Sequence, residues 1–555
     1  MASTETKVCQ NCKESFVIDA SDFEFYKKMA VPPPTWCPQC RNQRRMLFRN
    51  FKTLYKRPSD KSGKMVVSMY HPKSPYAIYA NDEWWSDGWD SKSYGRDFDF
   101  NRPFFDQFND LLKVVPRFAT NAVNCQGCEY SNFILNSKNC YLVFGCPESE
   151  DCSYGHIVWD SKNCVDGLYV HKSDSCYECV DCVNCYQILY SEECENCNDS
   201  IGLYDCRSVS NSIGCVGLIQ KSYHIFNQQV TKEQYEQFLK EHPLHDPETI
   251  KMILAEQLKL RRELPQHHYF GSHNTEVSGN HIYNGKNLQY CFDLRAGEDS
   301  KFVFTGRRAV QVYDASFSLE PDQSYEIVTA IGASSHIIGN HYCHASHDIY
   351  YSDFIFASKN LFGCAGMRNA EYCILNKQYT KEQYEELVPE IVGHMRKTGE
   401  WGQFFPASLS PFAYNEAIVN EYMPLTKEEA LAQGFRWQDD IPSTVGKETI
   451  SHEDLPQIPS EYSDELLKHV LKCTECGRNY KFIAHEISVY RRLGVALPKQ
   501  CFNCRHQRRM NMRNRRELWP GACANCSANF ETSYSPQQQK EYKIYCEACY
   551  QKEML

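Results

Sequence analysis

SKNCYLVFGCPESEDCSYGHIVWDSKNC, residues 137–164, places Cys140, Cys152 and Cys164 twelve residues apart between two copies of Ser-Lys-Asn-Cys. The interval extends outward from Cys128 to Cys176, then continues in a shifted register at Cys182, Cys194 and Cys206. Runs such as YLVFG and HIVWD alternate with Ser, Asp, Asn and Gly, the pattern of short strands and turns stacked at a fixed period. A parallel β-solenoid is predicted, and the 24 residues between the two Ser-Lys-Asn-Cys copies suggest a two-strand coil of that length.

The array is duplicated. CVGLIQKSYHIFNQQVTKEQYEQF (215–238) recurs 149 residues later as CAGMRNAEYCILNKQYTKEQYEEL (364–387). At the same offset Cys206 becomes Ile355, and the second copy keeps only Cys291, Cys343, Cys364 and Cys373. An apolar replacement suits packing and is poor for ligation, so the cysteine row reads as small buried filler, with a metal cluster or redox relay as the alternative. Helices opened by the Thr231 and Thr380 caps follow the two arrays. RPFFDQFNDLLKVVPRF (102–118) is expected to cover the open edge of the first array.

Both ends carry Cys-x-x-Cys pairs. Cys9, Cys12, Cys37 and Cys40 share their spacing with Cys473, Cys476, Cys501 and Cys504, and a third set comprises Cys523, Cys526, Cys546 and Cys549. Four thiolates satisfy tetrahedral zinc and leave no position for substrate, so three structural zinc ions per chain are expected. The duplication implies a fourth module whose ligand positions have become Ser59, Ser62, Ala80 and Glu83. It should fold without metal, leaning on Trp84, Trp85 and Trp89.

After the second knuckle of two sets come CRNQRRMLFRN (40–50) and CRHQRRMNMRN (504–514). A helix starting there puts Arg41, Arg44, Arg45 and Arg49 on one face, and likewise Arg505, Arg508, Arg509 and Arg513. Such a row suits phosphate oxygens, which gives a nucleic-acid reading with RNA or a ribonucleoprotein as partner. It equally suits docking on the acidic centre. Residues 1–57 hold 11 Lys/Arg against 5 Asp/Glu and 473–517 hold 11 against 3, whereas 121–222 hold 5 against 14. The whole chain of 555 residues carries a formal charge of −10.

WCPQCRNQRR, DFDFNRPFFDQF, SKNCYLVFGC, the segment from Cys176 to Cys215, FFPASLSPFAYNEAIVNEYMPLTKEEAL (404–431) and YCEACYQKE carry a resemblance across nearly the whole chain. It resembles uncharacterised treble-clef/zinc-ribbon repeat proteins of candidate-phylum bacteria. Some bear a CaiB/BaiF label implying a CoA-transferase, which the lack of a Rossmann-type glycine signature does not support. The resemblance implies zinc and repeats. Family members tend to keep cysteines where this chain has Ser59, Ser62, Ala80 and Glu83.

The expected fold is mainly β: duplicated parallel β-solenoid-like arrays with helical inserts, flanked by small treble-clef-type zinc modules. The expected segments are a zinc module (1–57), a metal-free finger (58–100), a capping helix (101–120), the first array (121–226) and a helical insert (227–267). The second array (268–377), a helix and connector (378–470) and two zinc modules (471–518 and 519–555) complete the chain. No apolar run is long enough to span a membrane, and thirty cysteines without a signal-type N-terminus suggest a cytoplasmic chain with reduced thiols. The leading expectation is a non-enzymatic binding protein contacting nucleic acid. The alternative is a protein-assembly scaffold that can self-associate, and a third reading is a carbohydrate-active enzyme using Asp160, Asp166, His156 and His171.

Overall fold

The computed structural model describes residues 4–554, which form two compact units. One comprises residues 4–119, Tyr269–Asp439 and Arg516–Leu518; the other comprises Thr120–His268, Asp440–Arg515 and residues 519–554. Each array therefore shares its unit with the zinc modules from the far end of the chain.

In the unit holding the first array, short parallel strands and bridges pair at a constant offset of twelve residues. Leu168 pairs with His156, Asn198 with Tyr186, Lys138 with Gln126, and Tyr141 with Glu129. The repeat is thus 12 residues, half the coil length suggested by the two Ser-Lys-Asn-Cys copies.

The cause is a triplet. Every third residue, as in Asn136, Asn139, Leu142, Gly145, Glu148 and Asp151, has a positive φ, between 45° and 68° across this array. Left-handed backbone at that frequency turns the chain after each short extended step, which explains the abundance of Asn, Asp and Gly. The residue after each turn points inward. Cys140, Val143, Cys146, Cys152, Val158 and Cys164 line one buried core. Inward serines join it because their hydroxyls are satisfied: Ser149 Oγ donates to Val158 O (2.9 Å), and Ser173 N donates to Ser161 Oγ (3.2 Å).

The other unit holds the long parallel sheet, with Thr275–Tyr283, Gly285–Leu294, Gly297–Gly306, Ala309–Ser318, Pro321–Ile331 and Ser334–His344 as its longest strands. The offset is again twelve along most of the sheet; it is eleven at its start, where Gly271 pairs with Ile282 and Thr275 with Lys286, and thirteen where Pro321 pairs with Ser334. That extra residue is why the two arrays correspond at 148 residues before this point and 149 after it.

The helices Lys232–Glu241 and Lys381–Thr398 begin at Thr231 and Thr380. Each threonine hydroxyl accepts from the N–H three residues on, at 3.2 Å. The helix Phe104–Val114, expected to cover the open edge of the first array, belongs to the second array's unit. Phe104 packs on Tyr351 and Phe362, each with ring centroids at 5.5 Å, because its aromatic face finds the aromatic columns at that end of the second array.

Candidate metal centres and the arginine clamp

Four modules share one local geometry. In the first, Cys9 N donates to Glu14 O (2.8 Å) and Lys13 N to Cys9 O (3.1 Å), closing a tight knuckle with Lys13 at φ 68°. Cys473 and Gly477 repeat these bonds, as do Cys523 and Ser527. The second pair of each set opens a helix: α1 (Pro38–Met46), α2 (Phe502–Met512) and α3 (Glu547–Met554). Cys37 N then donates to Cys9 Sγ (3.1 Å), and Cys501 N to Cys473 Sγ (3.2 Å).

Within each set the four sulfurs lie within 4.8 Å of one another. Cys12 and Cys37, Cys476 and Cys501, and Cys526 and Cys546 are each 3.7 Å apart at sulfur. Sulfurs about 2.3 Å from one tetrahedral ion stand roughly 3.8 Å apart, so this geometry fits zinc. Burial pushes the Cys9 thiol up, but the N–H groups of Cys37, Cys12 and Asn11 outweigh it and bring it down to about 6. The same backbone donation brings Cys523 to about 6 and Cys473 to about 7. The chain has three zinc sites, each closed by four cysteines and therefore structural.

The fourth module keeps the knuckle without the thiols. Ser59 N donates to Lys64 O (2.8 Å), Gly63 N to Ser59 O (2.9 Å), and Ala80 N to Ser59 Oγ (3.3 Å). The Glu83 carboxylate accepts from the Ser59 hydroxyl and from Ala80 N (3.0 Å). Those bonds, led by Ser59 and then Ser62, hold its carboxyl below the usual range. Hydrogen bonds thus converge on one carboxylate where the other modules have sulfurs. Trp84 is fully buried, its Nε1 donating to Pro116 O (2.8 Å), and the Arg368 guanidinium lies 5.3 Å from its ring centre.

The arginine rows are buried. Arg41 Nη2 meets Asp314 Oδ2 at 2.8 Å, Arg44 meets Glu326 at 3.2 Å, and Arg45 Nη1 spans Asp314 (3.1 Å) and Glu326 (2.7 Å). In the other unit, Arg505 meets Asp166 at 2.9 Å, Arg508 meets Glu178, and Arg509 spans Asp166 (2.8 Å) and Glu178 (2.9 Å). Arg49 and Arg513 lie beyond the ends of α1 and α2, so neither row is a single four-residue helix face. Arg49 donates to Thr329 and lies 4.5 Å over Phe51, and burial lowers it to about 9. Arg513 grips Asp181 with two bonds, at 2.7 and 3.0 Å.

The assignment of Arg41, Arg44, Arg45, Arg49, Arg505, Arg509 and Arg513 to phosphate contact is therefore corrected. Their side chains are enclosed and partnered by protein, and only Arg508, half exposed, keeps a face to solvent. Arg44 is lowered because burial outweighs Glu326, whereas Glu178 is lowered because Arg509, Arg508 and Arg505 together outweigh its burial.

Asp314 and Glu326 were not singled out by sequence reasoning. The available signal is that Asp166 and Glu178 recur as Asp314 and Glu326 at an offset of 148, twelve residues apart in both copies. All four sit at left-handed corners, which aim their carboxylates outward from the array. The candidate catalytic group does not converge either. Asp166 is taken by two arginines, His156 stacks on His506 at 4.9 Å, and His171 packs on Trp159 at 4.7 Å.

A family model described as "Probable treble clef domain" matches residues 5–48, covering the first zinc set and α1. No curated protein matches the chain. No helix among the described residues is long and apolar enough to cross a membrane.

Proposed function

We propose that the protein is a non-enzymatic scaffold in which two β-solenoid arrays of twelve-residue turns are gripped by zinc modules and present their free faces to a protein partner. The observation that carries this reading is the duplicated arginine–carboxylate clamp, which commits the basic rows to internal docking. What remains outward is a set of regular ladders. Lys138 and Lys162 both meet Glu150, at 3.4 and 3.0 Å; Asn139 donates to Asp151 (3.1 Å), Asn287 to Asp299 (2.7 Å), and Lys286 meets Glu298 at 2.9 Å. Charges of both signs neutralise each other from turn to turn, which suits specific docking of a polar protein surface better than a phosphate backbone.

The test is capture from nuclease-treated lysate by wild-type protein and by Lys138→Glu/Lys162→Glu, whose substitutions leave the buried clamp intact. A protein retained by the wild type and lost by the variant supports the reading. Retention abolished by nuclease, or none at all, overturns it.

A further inference from the structure

The first turn of the first array, NAVNCQGCEYSN (121–132), is paired on one side only. Gln126 pairs with Lys138 and Glu129 with Tyr141, both in the turn that follows. In that following turn the corner N–H groups bond back to the first: Asn136 N donates to Val123 O (3.0 Å) and Asn139 N to Gln126 O (2.8 Å). Its inward carbonyls do the same, Ser137 O accepting from Gln126 N (3.1 Å) and Cys140 O from Glu129 N (2.9 Å). The counterparts twelve residues earlier are Asn124 N, Gly127 N, Cys125 O and Cys128 O, and among the described residues none of these four has a backbone partner. Asn124, Gln126, Gly127 and Glu129 are exposed, and the inward Ala122, Cys125 and Cys128 are half-buried, whereas Cys140 and Cys152 deeper in the array are enclosed.

The other end of this array is closed. Gln228–Gln229 folds back antiparallel on Ser222–Ile225, and the Asn227 side chain bonds to Val216 N and Val216 O, each at 2.9 Å. The second array ends in the same way, with the Asn376 side chain on Ala365 N (2.7 Å) and Ala365 O (2.9 Å). The opening turn of the first array has neither device. It also lacks the lysines and prolines that keep a β edge from pairing, its one charge being Glu129.

We propose that this edge is a self-association surface, on which the same turn of a second copy of this chain stacks end to end about a twofold axis. Shape selects that occupant. The edge takes a left-handed corner every third residue, at Asn124 (φ 52°) and Gly127 (φ 63°), so an ordinary extended strand follows it along one short side only. A second turn of the same kind follows it all the way round. Polarity selects the same occupant. Open donors and acceptors alternate along the edge, N–H at 124 and 127 and C=O at 125 and 128, and a twofold axis sets each copy's donors against the other's acceptors. Stacking encloses Ala122, Cys125 and Cys128 and joins the two cores. The surface is the end of the array, separate from the side ladders on which the partner reading rests.

The experiment follows purified full-length, zinc-loaded protein by analytical ultracentrifugation over a concentration series, with hydrogen exchange in parallel. The wild type is expected to pass from monomer to dimer as concentration rises, with the amides of 121–132 gaining protection in step. N124K/Q126K is expected to stay monomeric with three zinc ions and an unchanged melting temperature. The array already accepts lysine at both kinds of position, in Lys172 at a corner and Lys138 twelve residues after Gln126. If the melting temperature of that variant falls, N124K alone provides the comparison. A wild type that is monomeric throughout, a dimer without added protection in 121–132, or a dimer kept by the folded lysine variant overturns the proposal. No lysate partner takes part, so its failure leaves the reading of the outward ladders standing, and the failure of that reading leaves this one.

Discussion

Arg45 and Arg509 make the same pair of bonds in the two units: Arg45 bridges Asp314 and Glu326, and Arg509 bridges Asp166 and Glu178, with every contact between 2.7 and 3.1 Å. Both arginines are fully enclosed. A buried guanidinium shared by two carboxylates from successive turns fixes how a zinc module sits on its array, because a slip by one turn would leave charge unpaired.

Truncation at this point should be severe. Arg45→Ala leaves two buried carboxylates short of a partner and is expected to cost about 3–5 kcal/mol, whereas the half-exposed Arg508→Ala should cost about 1 kcal/mol or less. Chemical denaturation of the two variants checks the contrast; equal losses would remove the clamp from the account.

Zinc should be separable site by site. Cys501→Ser is expected to lower bound zinc by one ion and to open residues 471–518 to protease, leaving the other two sites loaded. Elemental analysis and limited proteolysis report both effects. Loss of all three ions would show the sites to be one cooperative system.

The fourth module can be converted. Restoring thiols as S59C/S62C/A80C/E83C should add a zinc ion, because the knuckle bonds at Ser59 and Gly63 match those at Cys523 and Ser527. Glu83→Ala alone should destabilise the module, since Ser59 and Ala80 N lose their shared acceptor. An unchanged zinc count in the four-cysteine variant would contradict this reading of the geometry.

Glu486 makes stability depend on pH. Its carboxyl accepts from Tyr154 (2.7 Å), Tyr490 (2.8 Å) and Ile483 N (2.7 Å). Burial, only partly offset by Arg505, raises it from 4.5 to about 7. A raised carboxyl is protonated in the folded state where the unfolded chain has already ionised. Its contribution is full below pH 4.5, falls as pH rises, and is lost above about 7, a span of about 3 kcal/mol. Glu486→Gln should flatten that part of the profile, which denaturation between pH 5 and pH 8 would show; the same slope in both proteins would contradict it.

The zinc ligands were legible because ligation fixes residue type and spacing together, and the metal-free module because duplication preserved its register. The twelve-residue period was legible in Cys140, Cys152 and Cys164, but its meaning as a full repeat was not. The two Ser-Lys-Asn-Cys copies suggested a unit twice as long, while the triplet lies in backbone dihedrals that Leu142, Tyr154 and Ile157 adopt despite their side chains. Docking on the acidic stretch 121–222 was one of two readings of the arginines and holds for the row at 505–513, but the carboxylates that take Arg41, Arg44 and Arg45, Asp314 and Glu326, lie outside that stretch. Their carboxylates come from the array far along the chain, and no local pattern announces that a module at one end docks on the array nearer the other.

The most direct test is binding of labelled single-stranded and duplex RNA at low salt by wild type and Arg44→Ala/Arg45→Ala, with thermal melting followed in parallel. The account expects no salt-sensitive RNA binding by either protein and a clear loss of melting temperature in the variant. Salt-sensitive binding by the wild type that disappears in a variant of unchanged melting temperature would contradict it.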